Sequence, residues 1–211
     1  MNIVFDFGAV LFTWKPAELL AKHFPQRAFD AQTAGALAHA VFGHADWHNF
    51  DGGALTRNEV VKRTALRLAL DVVALGAMVA AISDHLTPVA ASRDILEQLH
   101  SMRSHQPTLR LYYLSNMPVH YARELEQRHD FLQWFDGGIF SGDVQITKPD
   151  AAIYQLLQAR YALDPAKTVF IDDLKANVLA AGALGWQGIQ FESPQQLRAE
   201  LAALGIMVKT S

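Results

Sequence analysis

Four short apolar runs constrain this chain more than any other feature: NIVFDF near the N-terminus, then LRLYYLSN, KTVFIDD and WQGIQF. They are rich in branched and aromatic residues, the pattern of strands buried on both faces of a parallel sheet. Helical patterns separate the last three: MPVHYARELEQRH, DAAIYQLLQARYA and LKANVLAAGALG. Strands that alternate with helices form an α/β, doubly wound (Rossmann-like), mostly parallel sheet. Three of the strands end in polar residues: Asp6, Ser115 with Asn116, and Asp172 with Asp173. Ligands bind such sheets outside the carboxyl ends of the strands. The three polar clusters are therefore expected to converge on one crevice.

The stretch from about Thr13 to Thr87 reads differently. It contains no strand pattern, and its helices, LTRNEVVKRTALRLAL among them, are joined by turns such as FDGGALT. It lies between the first strand and the helix SRDILEQLHSMR. The expected organisation is an α/β core of residues 1–13 and 88–211, with an all-helical cap, residues 14–87, inserted after the first strand.

With 211 residues, 51% of them hydrophobic and 18% charged, the chain can bury one substantial core. Its net charge of −3, with acids and bases mixed, provides no electrostatic footprint for nucleic acid or for a membrane surface. It has no cysteine, which excludes disulfides and thiolate chemistry. The N-terminus lacks a basic flank and is interrupted by Asp6, so it is a poor signal peptide. The apolar run VVALGAMVAAI is too short to span a bilayer. These features predict a soluble, cytoplasmic protein.

Asp6 sets the chemical question. A carboxylate in an apolar strand is costly to desolvate unless something positive covers it. Facing Asp172 and Asp173, it belongs to a cluster whose mutual repulsion favours a hard cation. Magnesium, with its preference for oxygen ligands, suits one or two carboxylates plus a substrate phosphate. The simpler reading of Asp172-Asp173 is a cap on the following helix. Ser115 and Asn116 precede a helix that Met117-Pro118 opens, a place where anions bind and also an ordinary cap. Lys148, in SGDVQITKPDAAIY, sits at the N-terminal edge of the next helix, where a cation needs an anionic neighbour. Most lysines at such places are simply solvated.

Taken together, in order and spacing, these stretches resemble the haloacid dehalogenase-like (HAD) hydrolase superfamily over nearly the whole chain. The strand ending in Asp6 matches its nucleophile motif, LYYLSN its second motif, FSGDVQITKPDAAIY its third and VFIDDLKANVLAAGALGWQGIQF its fourth. The segment VLFTWKPAELL, and Trp47 ahead of FDGGALT, resemble the branch of glucose-1-phosphatase-like enzymes and the N-terminal phosphatase domain of soluble epoxide hydrolase. The resemblance implies a magnesium-dependent phosphatase acting on a small phosphorylated metabolite, a sugar phosphate for example, through an aspartyl-phosphate on Asp6. It implies metal ligands at Asp6, the Gly8 carbonyl and Asp173, with Asp172 orienting Lys148 and a metal water. Ser115 and Asn116 would hold phosphate oxygens, Lys148 would neutralise charge, and Asn177 would steady the Asp173 loop or a metal water.

One departure stands out. Most phosphatases of the superfamily carry a second aspartate, the general acid and base, two residues after the nucleophile; here that position is Gly8. Either the leaving group is good, or a cap residue supplies the proton. His44 and His48, spaced i, i+4 beside Trp47, are candidates as a proton donor or metal pair, although packing or surface histidines are the commoner case. Trp14, Lys15, His44, Trp47 and His48 are the candidate substrate contacts of the cap. Two rival readings are a metal-independent 2-haloacid dehalogenase and a catalytically degenerate, ligand-binding HAD protein. An apolar helical cap could also pair two copies into a homodimer.

Overall fold

The computed structural model describes residues 1–208. Five parallel strands form its sheet: β1 (Asn2–Phe5), β2 (Arg110–Ser115), β3 (Gly137–Phe140), β4 (Thr168–Asp172) and β5 (Gln187–Gln190), in the spatial order β3-β2-β1-β4-β5. The chain starts at the centre, winds outward through β2 to β3, then returns across the sheet to β4 on the other side of β1. That reversal opens a crevice at the carboxyl ends of β1, β2 and β4. Phe5 is in register with Tyr113 on one side and Ile171 on the other, which brings Asp6, Ser115 and Asp172 to the same edge.

Alternation along the strands explains the layers. Ile3, Phe5, Leu111 and Ile171 point into one apolar layer, shared with α7 (Ala90–Met102), α8 (Val119–Arg128) and α12 (Pro194–Ala203). Val4, Tyr112, Leu114 and Phe170 point into the other, against Ile153, Tyr154 and Leu157 of α10 (Ala151–Tyr161) and Ala181 of α11 (Lys175–Ala183). The four apolar runs of the sequence are strands, and the helical patterns between them are helices.

The strand that sequence reading overlooks is β3. Its residues are GGIF, which looks like a turn. The glycines are there for space: a Cβ on Gly138 would lie 2.3 Å from Tyr113 Cγ, and one on Gly137 2.4 Å from Tyr161 Oη. Two tyrosine rings thus occupy the volume that strand side chains normally fill, and they erase the β signature.

Between β1 and α7 the segment is helical: α1 (Pro16–His23), α2 (Ala31–Phe42), α3 (Ala45–Asp51), α4 (Arg57–Leu68), α5 (Val72–Ala80) and α6 (Ile82–His85). Capping boxes fix two of the starts, Asp30 with Thr33 on α2 and Thr56 with Glu59 on α4. The segment leaves and returns at one point: Thr13 N donates to Thr87 O at 2.8 Å, and Thr87 N donates to Thr13 Oγ1 at 3.2 Å. The short helix α9 (Ser141–Val144) follows β3 directly. Among the described residues no helix is long and apolar enough to cross a membrane.

Candidate active site

The site begins with the turn after β1. The backbone N–H groups of Val10, Leu11 and Phe12 all donate to Phe7 O, and Ala9 takes a positive φ of 57° to allow it. This tight reversal ends the strand and leaves Asp6 at its tip, only 7% exposed. Asp6 Oδ1 accepts from Phe7 N at 2.7 Å and lies 2.9 Å from Lys148 Nζ.

Lys148 is 3% exposed, so it is not a solvated surface lysine. Its Nζ donates to Asp172 Oδ2 at 2.6 Å and to Leu114 O at 2.8 Å, besides its contact with Asp6. This is the positive charge that the apolar setting of Asp6 demands. Asn116 clamps the backbone of the same residue: Lys148 N donates to Asn116 Oδ1 at 2.8 Å, and Asn116 Nδ2 donates to Lys148 O at 2.9 Å. Two segments far apart in sequence are thereby locked together at the cavity.

Asp172 is fully buried. Oδ1 accepts from Leu174 N at 2.8 Å and Asn177 Nδ2 at 2.9 Å; Oδ2 accepts from Lys148 Nζ and again from Asn177 Nδ2 at 3.0 Å. Four hydrogen bonds occupy this carboxylate, which makes it a brace for Lys148 and a poor direct metal ligand. Three expectations need correction here. Asn177 grips Asp172 rather than Asp173, because α11 turns its first-turn amide inward. The Asp172-Asp173 pair does not cap α11, whose N-cap is Leu174 without a side-chain bond. Likewise Pro118 is the N-cap of α8 rather than an early helical residue.

Charge crowding shows in the carboxyl pKa values. Burial pushes Asp6 up to about 7; Lys148 pulls against that, and Asp172 adds to it. Burial raises Asp173 to about 6, with Asp172 again contributing. For Lys148, burial disfavours the charged form most, but Asp172 and Asp6 outweigh it and its pKa is raised. One lysine therefore faces three carboxylates. Oxygens of Asp6, Asp172 and Asp173 lie within 4.8 Å of one another, a surplus of negative charge that fits a divalent cation such as magnesium on the less committed oxygens of Asp6 and Asp173.

These groups open into a cavity of about 230 Å³. Asp6, Gly8, Ser115, Asn116, Lys148, Asp173 and Asn177 line its floor. Of the proposed cap contacts, Trp14, Trp47 and His48 reach it; Lys15 and His44 do not. Lys15 pairs with Glu18 on the outside of α1. His44 is the N-cap of α3, its Nδ1 accepting from Asp46 N at 3.1 Å, so it is not paired with His48 around a metal. The sequence reading missed Asp51, Ile82, Leu86 and Tyr121, which also line the cavity. Only Asp51 carried a usable signal, four residues after Trp47 and so on the same helix face.

The model of the haloacid dehalogenase-like hydrolases matches residues 3–185, from the strand that carries Asp6 to the end of the turn after α11. The chain belongs to that family.

Among relatives of this HAD-like hydrolase is a sesquiterpene phosphatase, astK, from Aspergillus oryzae, 25% identical over 186 residues, covering 88% of this chain and 87% of that protein. A HAD family enzyme from Bacteroides thetaiotaomicron, solved with magnesium and inorganic phosphate, superposes with a TM-score of 0.67 at 18% identity, covering 90% and 93% of the two chains. The L-2-haloacid dehalogenase from Xanthobacter autotrophicus, with chloropropionic acid covalently bound, gives a TM-score of 0.64 at 19% identity, covering 97% and 83%. The two structural likenesses establish the fold. Family and phosphatase relative together support a phosphoric monoester hydrolase.

Proposed function

We propose that this hydrolase is a magnesium-dependent phosphatase that releases phosphate from a small, hydrocarbon-rich alcohol through an aspartyl-phosphate on Asp6. The observation that carries the reading is the buried Lys148 set between Asp6 and Asp172 at the floor of the cavity, with Asp173 beside them. Segment 14–87 acts as the cap over that floor.

In the first half-reaction a carboxylate oxygen of Asp6 attacks phosphorus and the bond to the alcohol oxygen breaks. Its Oδ1 is held by Phe7 N and Lys148, so the nucleophile is oriented before substrate arrives. The Ser115 hydroxyl and the Asn116 N–H hold phosphate oxygens, and Lys148 offsets their charge. Water then cleaves the aspartyl-phosphate. Asp6, Asp173 and the Gly8 carbonyl would hold magnesium, with Asp172 left to brace Lys148. When bound, the ion supplies charge stabilisation to the transferring phosphoryl group.

The walls above the phosphate site favour a hydrocarbon over a sugar. Phe42, Ile82, Leu86 and Met117 offer no side-chain hydrogen bonds to a ring of hydroxyls, and Trp14 and Trp47 offer a single indole N–H each. A polyhydroxylated leaving group would be desolvated there with few partners for its hydroxyls, a cost that hydrogen-bonding sites avoid. The name of the sesquiterpene phosphatase relative points the same way. The cavity is below the usual range of about 300–1,000 Å³ for small-molecule sites, which favours a compact substrate.

The test is phosphate release from matched esters, short alkyl, terpenoid and sugar phosphates, with magnesium, with chelator and with Asp6→Asn. Chelator-sensitive release that disappears in the variant and favours hydrocarbon esters is the expected result. Halide release from a 2-haloacid, indifferent to chelator, would replace this reading with the dehalogenase one. Ligand binding without turnover would replace it with the degenerate one.

A further inference from the structure

Resting on the phosphatase reading, we propose that Asp51 of the helical segment is the general acid that protonates the departing alcohol, the task left open by Gly8. The floor of the cavity has no group free for it. Lys148 and Asp172 are committed to each other, Asp6 is the nucleophile, and Asp173 is the carboxylate that would hold magnesium. Gly8 leaves open space: a Cβ there would meet nothing nearer than Trp14 Cβ at 4.0 Å. The leaving group departs toward the cap, and Asp51 is the carboxyl that the cap presents to the cavity.

Its placement is fixed through the backbone. Asp51 is the last residue of α3, and its carbonyl accepts from Ser141 Oγ at 2.6 Å. Ser141 Oγ in turn accepts from Met117 N at 2.8 Å, directly after the Ser115-Asn116 pair. The end of α3 is therefore tied to the loop that would hold phosphate. Among the described residues no cation pairs with the Asp51 carboxyl, and burial alone raises its pKa well above the usual value. Its aromatic neighbour Tyr121 on α8 is pushed up as well, by its own burial and by Asp51. Burial without a counter-charge is how a carboxyl is kept protonated for donation.

The proton balance closes over two steps. As the bond from phosphorus to the alcohol oxygen breaks, that oxygen takes the Asp51 proton and leaves as the neutral alcohol. Asp51, now a carboxylate, accepts a proton from the water that attacks the aspartyl-phosphate. Phosphate departs, and Asp6 and Asp51 return to their starting states.

The experiment measures kcat/KM, which ends at departure of the alcohol, for aryl and alkyl phosphates with magnesium. An aryl oxide leaves without a proton, whereas an alkoxide needs one. Asp51→Asn should lose about 10²–10⁴-fold on the alkyl esters and far less on the aryl ones. Asp51→Glu should recover part of the alkyl rate, and His48→Gln should keep the wild-type dependence on leaving group. An equal loss on both ester classes, or no loss, would overturn the assignment, as would a leaving-group effect that follows His48 instead. Absence of turnover by the wild type on every ester would instead overturn the phosphatase reading beneath it.

Discussion

Replacing Asp6 by asparagine should stabilise the metal-free protein relative to wild type, and increasingly so as pH rises. In the folded chain the Asp6 pKa is raised from 3.8 to about 7, mainly by burial. Between those values the folded state holds a proton that the unfolded state has released. The stability tied to that proton is complete below about pH 4 and is lost as pH climbs through 7. At about 1.4 kcal/mol per pH unit the full effect is roughly 4 kcal/mol, of which roughly 3 kcal/mol falls between pH 5 and pH 8. Urea denaturation of wild type and Asp6→Asn, both in chelator, should therefore show a stability difference that grows by about that amount across the window. Titrations remote from Asp6, such as those of half-buried His23, His120 and His129, are common to both proteins and cancel. Adding magnesium should narrow the gap at pH 8, because the cation stabilises the ionised carboxylate that only the wild type has. A gap that stays flat from pH 5 to pH 8, or shrinks, would refute the claim that burial holds up the Asp6 carboxyl.

Two further outcomes follow from the same geometry. Asn177→Ala removes both side-chain bonds to the buried Asp172 and should cost about 1.5–3 kcal/mol in urea unfolding, with a fall in kcat as Lys148 loses its brace. Trp47 is buried with its ring edge-on to Phe42 and Phe50, at 4.6 and 5.3 Å between centroids. Trp47→Ala should cost about 3–5 kcal/mol, and steady-state kinetics should show KM rising more for a terpenoid ester than for methyl phosphate.

Much of the floor of the site was legible because each of its groups interrupts or ends an apolar pattern. Asp6 follows three fully buried residues, and Asp172 closes a strand buried at every position. Such carboxylates need a partner, and Lys148 supplies it. What stayed hidden depends on tertiary packing. β3 lacked a signature because tyrosine rings from elsewhere fill the space above its glycines. His44 was misjudged because a ring nitrogen can cap a helix as a carboxylate does, and spacing cannot tell a cap from a ligand. Asp51 was missed because a carboxyl before Gly-Gly reads as a turn until the rotation of α3 about its axis is known. The saturation of Asp172 was equally invisible, since it requires the inward face of α11.

The Ser141 hydroxyl is one pin through two elements, the end of α3 and the loop behind Ser115 and Asn116. The joint is close-fitting, since a Cβ on Gly53 would come within 3.1 Å of Gly142 O and one on Gly142 within 2.8 Å of Val119 N. If segment 14–87 caps the site as proposed, a tilt of α3 to admit a bulkier substrate would loosen the hold on its phosphate through this bond. On the proposed function, breadth of substrate and firmness of hold would then be a single adjustable quantity, and a gain in one would trade against the other.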